Sequence, residues 1–376
     1  MLGNPWFKKE KPLPSLIGMG GGAQALSQSS GVAFQATGGN QSPGDGLEPG
    51  NGYKYHVYTS TGEGTFEVTA GTTNVDILVL GGGGAAGGEA SWNSSPLGGG
   101  GSGGAVRHPA LELGPGTYPL DVGAGGAIQP TSYPTSNPGG NSVFRLTPTA
   151  NLTGQGGCGG SRPGWFSPFA GPTCGSGPGG CTFGWPSGYP VVGGQPTVSH
   201  PGIPAGWTNY GNNGGFTGPT NPNTYASGGG GGCGGAGQGP VPSTPNILAG
   251  EGGDGQPFPG FAYPLVGLAP REPIAQSPTN DHYGGGGGGS INLDNSQSSD
   301  PWTPPSNPTS YRWRAGNGGA GGGGGRITEG KDGTSYPSMP LANGVANLGG
   351  GGAGLGGDYG GGTAGGDGII IIRYEA

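Results

Sequence analysis

Charge is scarce in this 376-residue chain: Asp, Glu, Lys and Arg together make up 9% of it, and the balance is −7. So few Lys and Arg cannot build the basic patches that hold phosphate backbones, which excludes nucleic acid as a partner. Gly-Gly-Arg occurs once, at Arg326, unlike the repeated pattern of glycine-rich RNA binders. The four histidines (His56, His108, His200, His282) lie far apart, and no Cys-x-x-Cys pair exists, so no metal site is expected. No window approaches 18 apolar residues, so no helical membrane span is expected. The amino terminus places Lys8, Lys9 and Lys11 after Trp6 and Phe7, with no apolar stretch behind them, so no secretory leader is expected. Carboxylates are sparse, and no histidine sits beside a nucleophile in a catalytic motif, so neither an enzyme nor a cofactor is expected. Asp254, Asp281, Asp294 and Asp300 read as solvated turn residues rather than calcium ligands.

Glycine is what the chain has. It fills 100 positions, with 39 prolines besides, and comes in blocks at 81–84, 98–101, 228–232, 284–289, 321–325 and 349–352. Such a composition usually means disorder. Against that, disordered chains are rich in charge and poor in aromatics, whereas 8% of this chain is aromatic. The blocks also alternate with segments that have Trp, Tyr and Phe to pack, unlike a Gly/Ser linker. The glycine region is therefore expected to be ordered.

Strand patterns bracket that region. Tyr53-Lys-Tyr-His-Val-Tyr-Thr-Ser and Thr65-Phe-Glu-Val-Thr alternate around a turn at 61–64 and predict a hairpin. Val75-Asp-Ile-Leu-Val-Leu80 is a largely apolar strand running into Gly81. Thr117-Tyr-Pro-Leu-Asp-Val122 is another, with Pro119 marking an edge or bulge, and 142–146 is a further short one. Four successive isoleucines in Gly368-Ile-Ile-Ile-Ile-Arg-Tyr374 must be covered on both faces, and Val75–Leu80 is the expected neighbour. Gly and Pro recur too often for an ordinary helix.

An ordered glycine run resembles polyproline II, a three-residue helix rising about 3.1 Å per residue, whose N–H and C=O groups all point outward. Every one needs a partner. Side-by-side packing of such helices supplies them, and only glycine lets the axes approach closely enough. The expected fold is therefore mostly β and irregular: a small β-sandwich joined to a bundle of polyglycine II helices with long loops and essentially no α-helix. Residues 1–50 form an extended arm, 51–150 with 369–376 the sandwich, and 151–368 the glycine-helix core, to which 81–104 contribute. If each run crosses once, loops 89–97, 161–227, 256–283 and 326–348 share the far end, and 105–153, 240–249 and 290–315 the sandwich end. The segment 349–368 then makes one long crossing. Cys158, Cys174, Cys181 and Cys233 allow three disulfide pairings, and the sequence does not choose among them.

The succession Tyr-x-Tyr-His-Val-Tyr-Thr, Asp76-Ile-Leu-Val-Leu-Gly-Gly-Gly-Gly, Gly116-Thr-Tyr-Pro-Leu-Asp-Val-Gly-Ala-Gly-Gly and the terminal Gly-Asp-Gly-Ile-Ile-Ile-Ile-Arg-Tyr resembles glycine-rich structural proteins of bacteriophages, particularly marine and cyanobacterial phages. The alternation of glycine blocks with aromatic loops is similar to polyglycine-helix tail-fibre tip adhesins. The resemblance implies a virion surface protein, assembled in the host cytoplasm and released by lysis. Trp6, Phe7, Lys8, Lys9 and Lys11 would attach it to other virion proteins. Trp165, Phe166, Phe169, Phe183, Trp185, Trp207, Tyr210, Phe258, Phe261 and Tyr263 would meet a host surface glycan or protein, since aromatic rings stack on sugar faces. The bland alternative has each ring capping an open end of the glycine bundle. A knob or decoration protein without a receptor is the second class, and an ice-binding bundle lacks the regular Gly-x-x spacing it requires. The resemblance permits a homotrimer.

Overall fold

The computed structural model describes residues 32–41, 43–87, 98–128, 137–160, 174–180, 199–215, 226–243, 246–269, 280–290, 313–314, 316–325, 343–354 and 362–376. Among them the secondary structure is strand, with two short 3-10 turns at Pro259–Phe261 and Tyr263–Val266 and no α-helix. The fold is thus mostly β, as the composition requires.

Two five-stranded sheets form a sandwich. The outer one has the order β1-β3-β6-β7-β8, from Gln35–Thr37, Gly62–Ala70, Gly116–Val122, Ser142–Arg145 and Asn151–Gly154. The inner one has the order β2-β15-β4-β5-β9, from Tyr53–Tyr58, Ile369–Glu375, Thr73–Leu80, Ala105–Leu113 and Thr208–Tyr210. Between them lies a core that includes Phe66, Val68, Ile77, Val79, Leu120, Phe144, Ile370 and Ile372. The carboxy-terminal strand sits centrally, antiparallel to both β2 and β4, with Ile372 opposite Ile77. Ile370 and Ile372 enter the sandwich core, while Ile369 and Ile371 enter a second core on the other face of the sheet. Each such side chain contributes about 1.5–3 kcal/mol when fully buried.

The expected hairpin between Tyr53–Tyr58 and the following strand does not form. The turn instead carries the chain from the inner sheet to the outer one, where β3 pairs with β1 and β6. Burial explains the split. Residues 55–58 are buried without interruption, so β2 needs cover on both faces, whereas β3 alternates and needs cover on one. Pro119 keeps its sequence reading: the pairing of β6 with β7 begins only at Leu120, leaving Pro119 a neighbour on one side. Residues 35–37, expected in the arm, and the strands Asn151–Gly154 and Thr208–Tyr210, expected in the glycine core, belong to the sandwich.

Seven strand ends continue directly into glycine runs: 81–87, 98–104, 123–128, 137–141, 155–160, 211–215 and 362–368. Hydrogen-bond registers give the direction of the rest. Run 226–233 is parallel to 98–104, which heads toward the sandwich, and 284–290 is antiparallel to 226–233 and heads away. The one-crossing rule therefore fails in places. The chain reverses within 232–235, where Gly232 N–H meets the carbonyl of Gly235, so 226–239 makes two crossings instead of one. Segment 256–283 consequently starts and ends at the sandwich, where β12 (Gln256–Pro257) pairs with β13 (His282–Tyr283), while the hairpin of β10 (Val241–Ser243) and β11 (Asn246–Leu248), joined by β14 (Trp313–Arg314), forms a small sheet at the distal end. Segment 161–227 returns through β9, and 343–368 crosses three times. The reversal is Gly-Cys-Gly-Gly inside a longer glycine run and has no Pro, Asn or Asp to mark a turn, which is why counting blocks misplaced these segments.

Candidate functional site

The glycine lattice is built on a rule of three. In run 98–104, Gly99 and Ser102 donate to Gly228 and Gly231, Gly100 and Gly103 to Gly352 and Gly349, and Gly101 and Gly104 to Cys158 and Gln155, at 2.7 to 3.3 Å. Its carbonyls accept from Gly81, Gly84 and Gly87 of one neighbour, Gly179 of a second and Gly287 of a third. Six other runs thus surround this one. A helix with three residues per turn presents the same face at every third position, so each neighbour meets its own row of backbone groups. Runs 81–87, 226–233 and 284–290 follow the same rotation. In the last, Gly285 and Gly288 donate to Gly321 and Gly324, and Gly286 and Gly289 to Gly253 and Gly250.

Position in the lattice selects composition. All residues of 226–233 and 284–290 except the two end residues Ala226 and Cys233 are glycine or serine, and all of them are buried. A Cβ on Gly99, Gly100, Gly101 or Gly103 would fall within 3.0 Å of a neighbouring backbone carbonyl. At the rim the three-residue period reappears as side chains: Ala124 and Ala127, like Glu251 and Asp254, point outward or to the edge. Where a side chain does enter, it is small. Ser102 Oγ donates to Ser176 Oγ at 3.0 Å, and Cys233 Sγ donates to the Gly103 carbonyl at 2.9 Å. Burial pushes the Cys233 thiol up to about 12. One disulfide joins Cys158 to Cys174, with Cα atoms 5.5 Å apart, which settles one of the pairings the sequence left open. Cys233 is free, and Cys181 lies outside the described residues.

Around the sandwich end of the lattice lies the second core, made by Tyr55, Val57, Leu78, Leu80, Ile369 and Ile371 on one side and Phe258, Phe261, Tyr263, Tyr283 and Leu348 on the other. The candidate contacts Phe258, Phe261 and Tyr263 are 2%, 0% and 5% exposed, so they cannot meet a receptor. They cap the end of the lattice, which corrects the contact expectation for these three rings. Tyr263 and Tyr283 cross edge to face at 5.3 Å, and the Tyr283 hydroxyl donates to the Phe261 carbonyl at 2.6 Å. Trp207 is half-buried, edge-on to His200 at 4.6 Å, and Tyr210 is half-buried against Phe258 at 5.2 Å. Both lie beside the sandwich rather than in a distal loop. Trp165, Phe166, Phe169, Phe183 and Trp185 lie outside the described residues, as do Trp6, Phe7, Lys8, Lys9 and Lys11.

The cap is held by charge. Asp76 is 7% exposed and accepts a two-pronged bond from Arg107, Nε to Oδ1 and Nη2 to Oδ2, both 2.9 Å. Arg373 Nε donates to the same carboxylate at 2.9 Å, and its Nη1 donates to the Gly260 carbonyl at 2.9 Å. The Arg373 guanidinium also lies 4.8 Å from the centre of the Phe261 ring and 4.7 Å from that of Tyr53. Hydrogen bonding to Asp76 raises the Arg107 guanidinium above its ordinary value, against the opposing effect of burial. This cluster was missed, although a signal existed: a lone carboxylate in an apolar strand, and a register that sets Arg373 directly opposite Asp76. Among the described residues no group of three His, Cys, Asp or Glu is placed to hold a metal ion. Asp254 instead accepts from the Ala320 amide, and Asp281 bonds His282. No helix of the described residues is long and apolar enough to cross a membrane.

No curated protein matches this sequence. A family model described as a glycine-rich domain matches residues 58–375, from the last residue of the sandwich's first inner strand to the last residue of its carboxy-terminal one. Strand and lattice are matched as one unit, and the chain belongs to this glycine-rich domain family.

Proposed function

We propose that this chain is a bacteriophage virion surface protein, a tail-fibre or appendage adhesin whose lattice holds aromatic segments toward a host-cell receptor. The observation that carries the reading is the polarity of the bundle. The sandwich occupies one end, and the described residues that flank much of the remaining chain gather at the other. Gly87 donates to Gly98, Ser227 and Ser290 bond each other, and Thr363 donates to Ala353, all at that distal end. Gly160 and Gly180 also end runs that head there. Trp165, Phe166 and Phe169 follow Gly160 in the sequence, and Phe183 and Trp185 follow Gly180; these five are the proposed contacts. A lattice bonded in three directions is a stiff base for such display, and rigid aromatic anchors bind at low entropic cost. Trp6, Phe7, Lys8, Lys9 and Lys11 are the proposed attachment to the particle, which would form in the host cytoplasm and be released by lysis.

A decoration protein with no receptor is the second reading, favoured by the burial of Phe258, Phe261 and Tyr263 as structural caps. Replacing the five proposed contact rings with serine, in particles shown to carry the protein at normal copy number, separates the two. Lost adsorption to host cells supports the adhesin. Unchanged adsorption leaves the decoration protein.

A further inference from the structure

The lattice brings two sulfurs together without needing the bond between them. Cys158 N–H donates to the Ser176 carbonyl, Gly101 N–H to the Cys158 carbonyl, and Gly175 N–H to the Gly156 carbonyl, at 3.1, 2.9 and 2.8 Å. These bonds flank the cysteine pair on both sides and fix runs 155–160 and 174–180 against each other. Ser176 is pinned from a further direction by Ser102 Oγ. The resulting Cα separation of 5.5 Å lies where disulfides form without backbone movement. The two residues differ in access: Cys158 is half-buried, whereas Cys174 is buried at 6% exposure. The nearby third thiol, Cys233, is fully enclosed and held as a poor nucleophile, so it does not compete.

We propose that the Cys158–Cys174 bridge is made on the finished lattice, by a small-molecule disulfide that reacts first at Cys158, once the folded chain leaves a reducing compartment. With oxidised glutathione, the Cys158 thiolate attacks one glutathione sulfur, forming a mixed disulfide and releasing one glutathione. The Cys174 thiolate then attacks the Cys158 sulfur and expels the second glutathione. The two cysteine protons end on the two glutathione thiols, and two electrons pass from the cysteine pair to the glutathione pair. Cys158 is the point of attack and Cys174 the resolving group, an order set by their exposure.

The test uses the full chain in a Cys181→Ser background, folded and purified in reductant, then given oxidised glutathione. Hydrogen exchange on the reduced protein should show the amides of Gly100 and Gly287 already protected. Intact mass should then show a stable glutathione adduct on Cys174→Ser, formed on the order of tenfold faster than on Cys158→Ser, while the parent proceeds to the bridged form. An unprotected lattice in the reduced protein, or a Cys174→Ser chain that does not fold, would show that the bridge builds the lattice and would overturn the proposal. Equal adduct rates on the two variants would overturn the assigned order.

Discussion

At the scale of the residue, the lattice makes glycine irreplaceable at some positions and ordinary at others. Gly100 donates to Gly352, and an added Cβ there would meet the carbonyl of Gly84. Gly100→Ala is expected to cost about 1–3 kcal/mol, in the range of overpacked cores, by chemical denaturation. Gly44 has open space around it and no left-handed backbone. Gly44→Ala should be neutral or stabilising by up to about 1 kcal/mol, through the unfolded chain alone. His56 is a second such residue. It is fully buried, with Nδ1 2.8 Å from the Gly38 carbonyl and Nε2 3.1 Å from the Tyr374 hydroxyl. Burial, and secondarily Lys54, lower its pKa from 6.5, while the Gly38 bond and Asp45 oppose. The folded state therefore binds its proton less readily than the unfolded chain. Its contribution is complete above pH 6.5 and is lost as pH falls below that value toward the lowered pKa, at no more than about 1.4 kcal/mol per pH unit. Thermal melts should show this acid slope in the parent and a shallower one in His56→Gln. Asp76 is the third: Asp76→Asn leaves two guanidiniums sharing a neutral partner and should cost about 3 kcal/mol, with loss of protection in residues 256–268.

At the scale of the element, much of the sandwich was legible and the lattice only in kind. The strands 53–58, 75–80, 117–122 and 369–374 follow from period two and from apolar runs, and the four isoleucines forced a central position covered on both faces. The pairing of β15 with β4 followed as well. What was not legible was that Tyr53–Tyr58, whose residues alternate in sequence, is covered on both faces whereas β3 is covered on one, hence the mistaken hairpin between β2 and β3. Reversals inside glycine runs, as at 232–235, were equally invisible, because the one side chain there, Cys233, is not a turn-forming type. The aromatics near Phe258 were misassigned for a related reason: a ring that caps a lattice and a ring that meets a ligand look alike in sequence. The disulfide is an element-scale staple with a sequence separation of 16. Reducing it should lower stability by about 3 kcal/mol without changing the exchange pattern elsewhere in the bundle.

At the scale of the whole molecule, sandwich and lattice share one chain path. Strands of both sheets run into the bundle, and the carboxy-terminal strand returns from it to the centre of the inner sheet. Unfolding should therefore be a single cooperative transition. The central claim is that runs without side chains form a solid through their own amides. Residue-resolved hydrogen exchange on runs 81–87, 98–104, 226–233 and 284–290 tests it most directly. The account expects these glycine amides to exchange on the order of a thousandfold or more slower than an open chain, with protection close to that of the sandwich strands. Exchange at open-chain rates in these four runs, with the sandwich still protected, would contradict it.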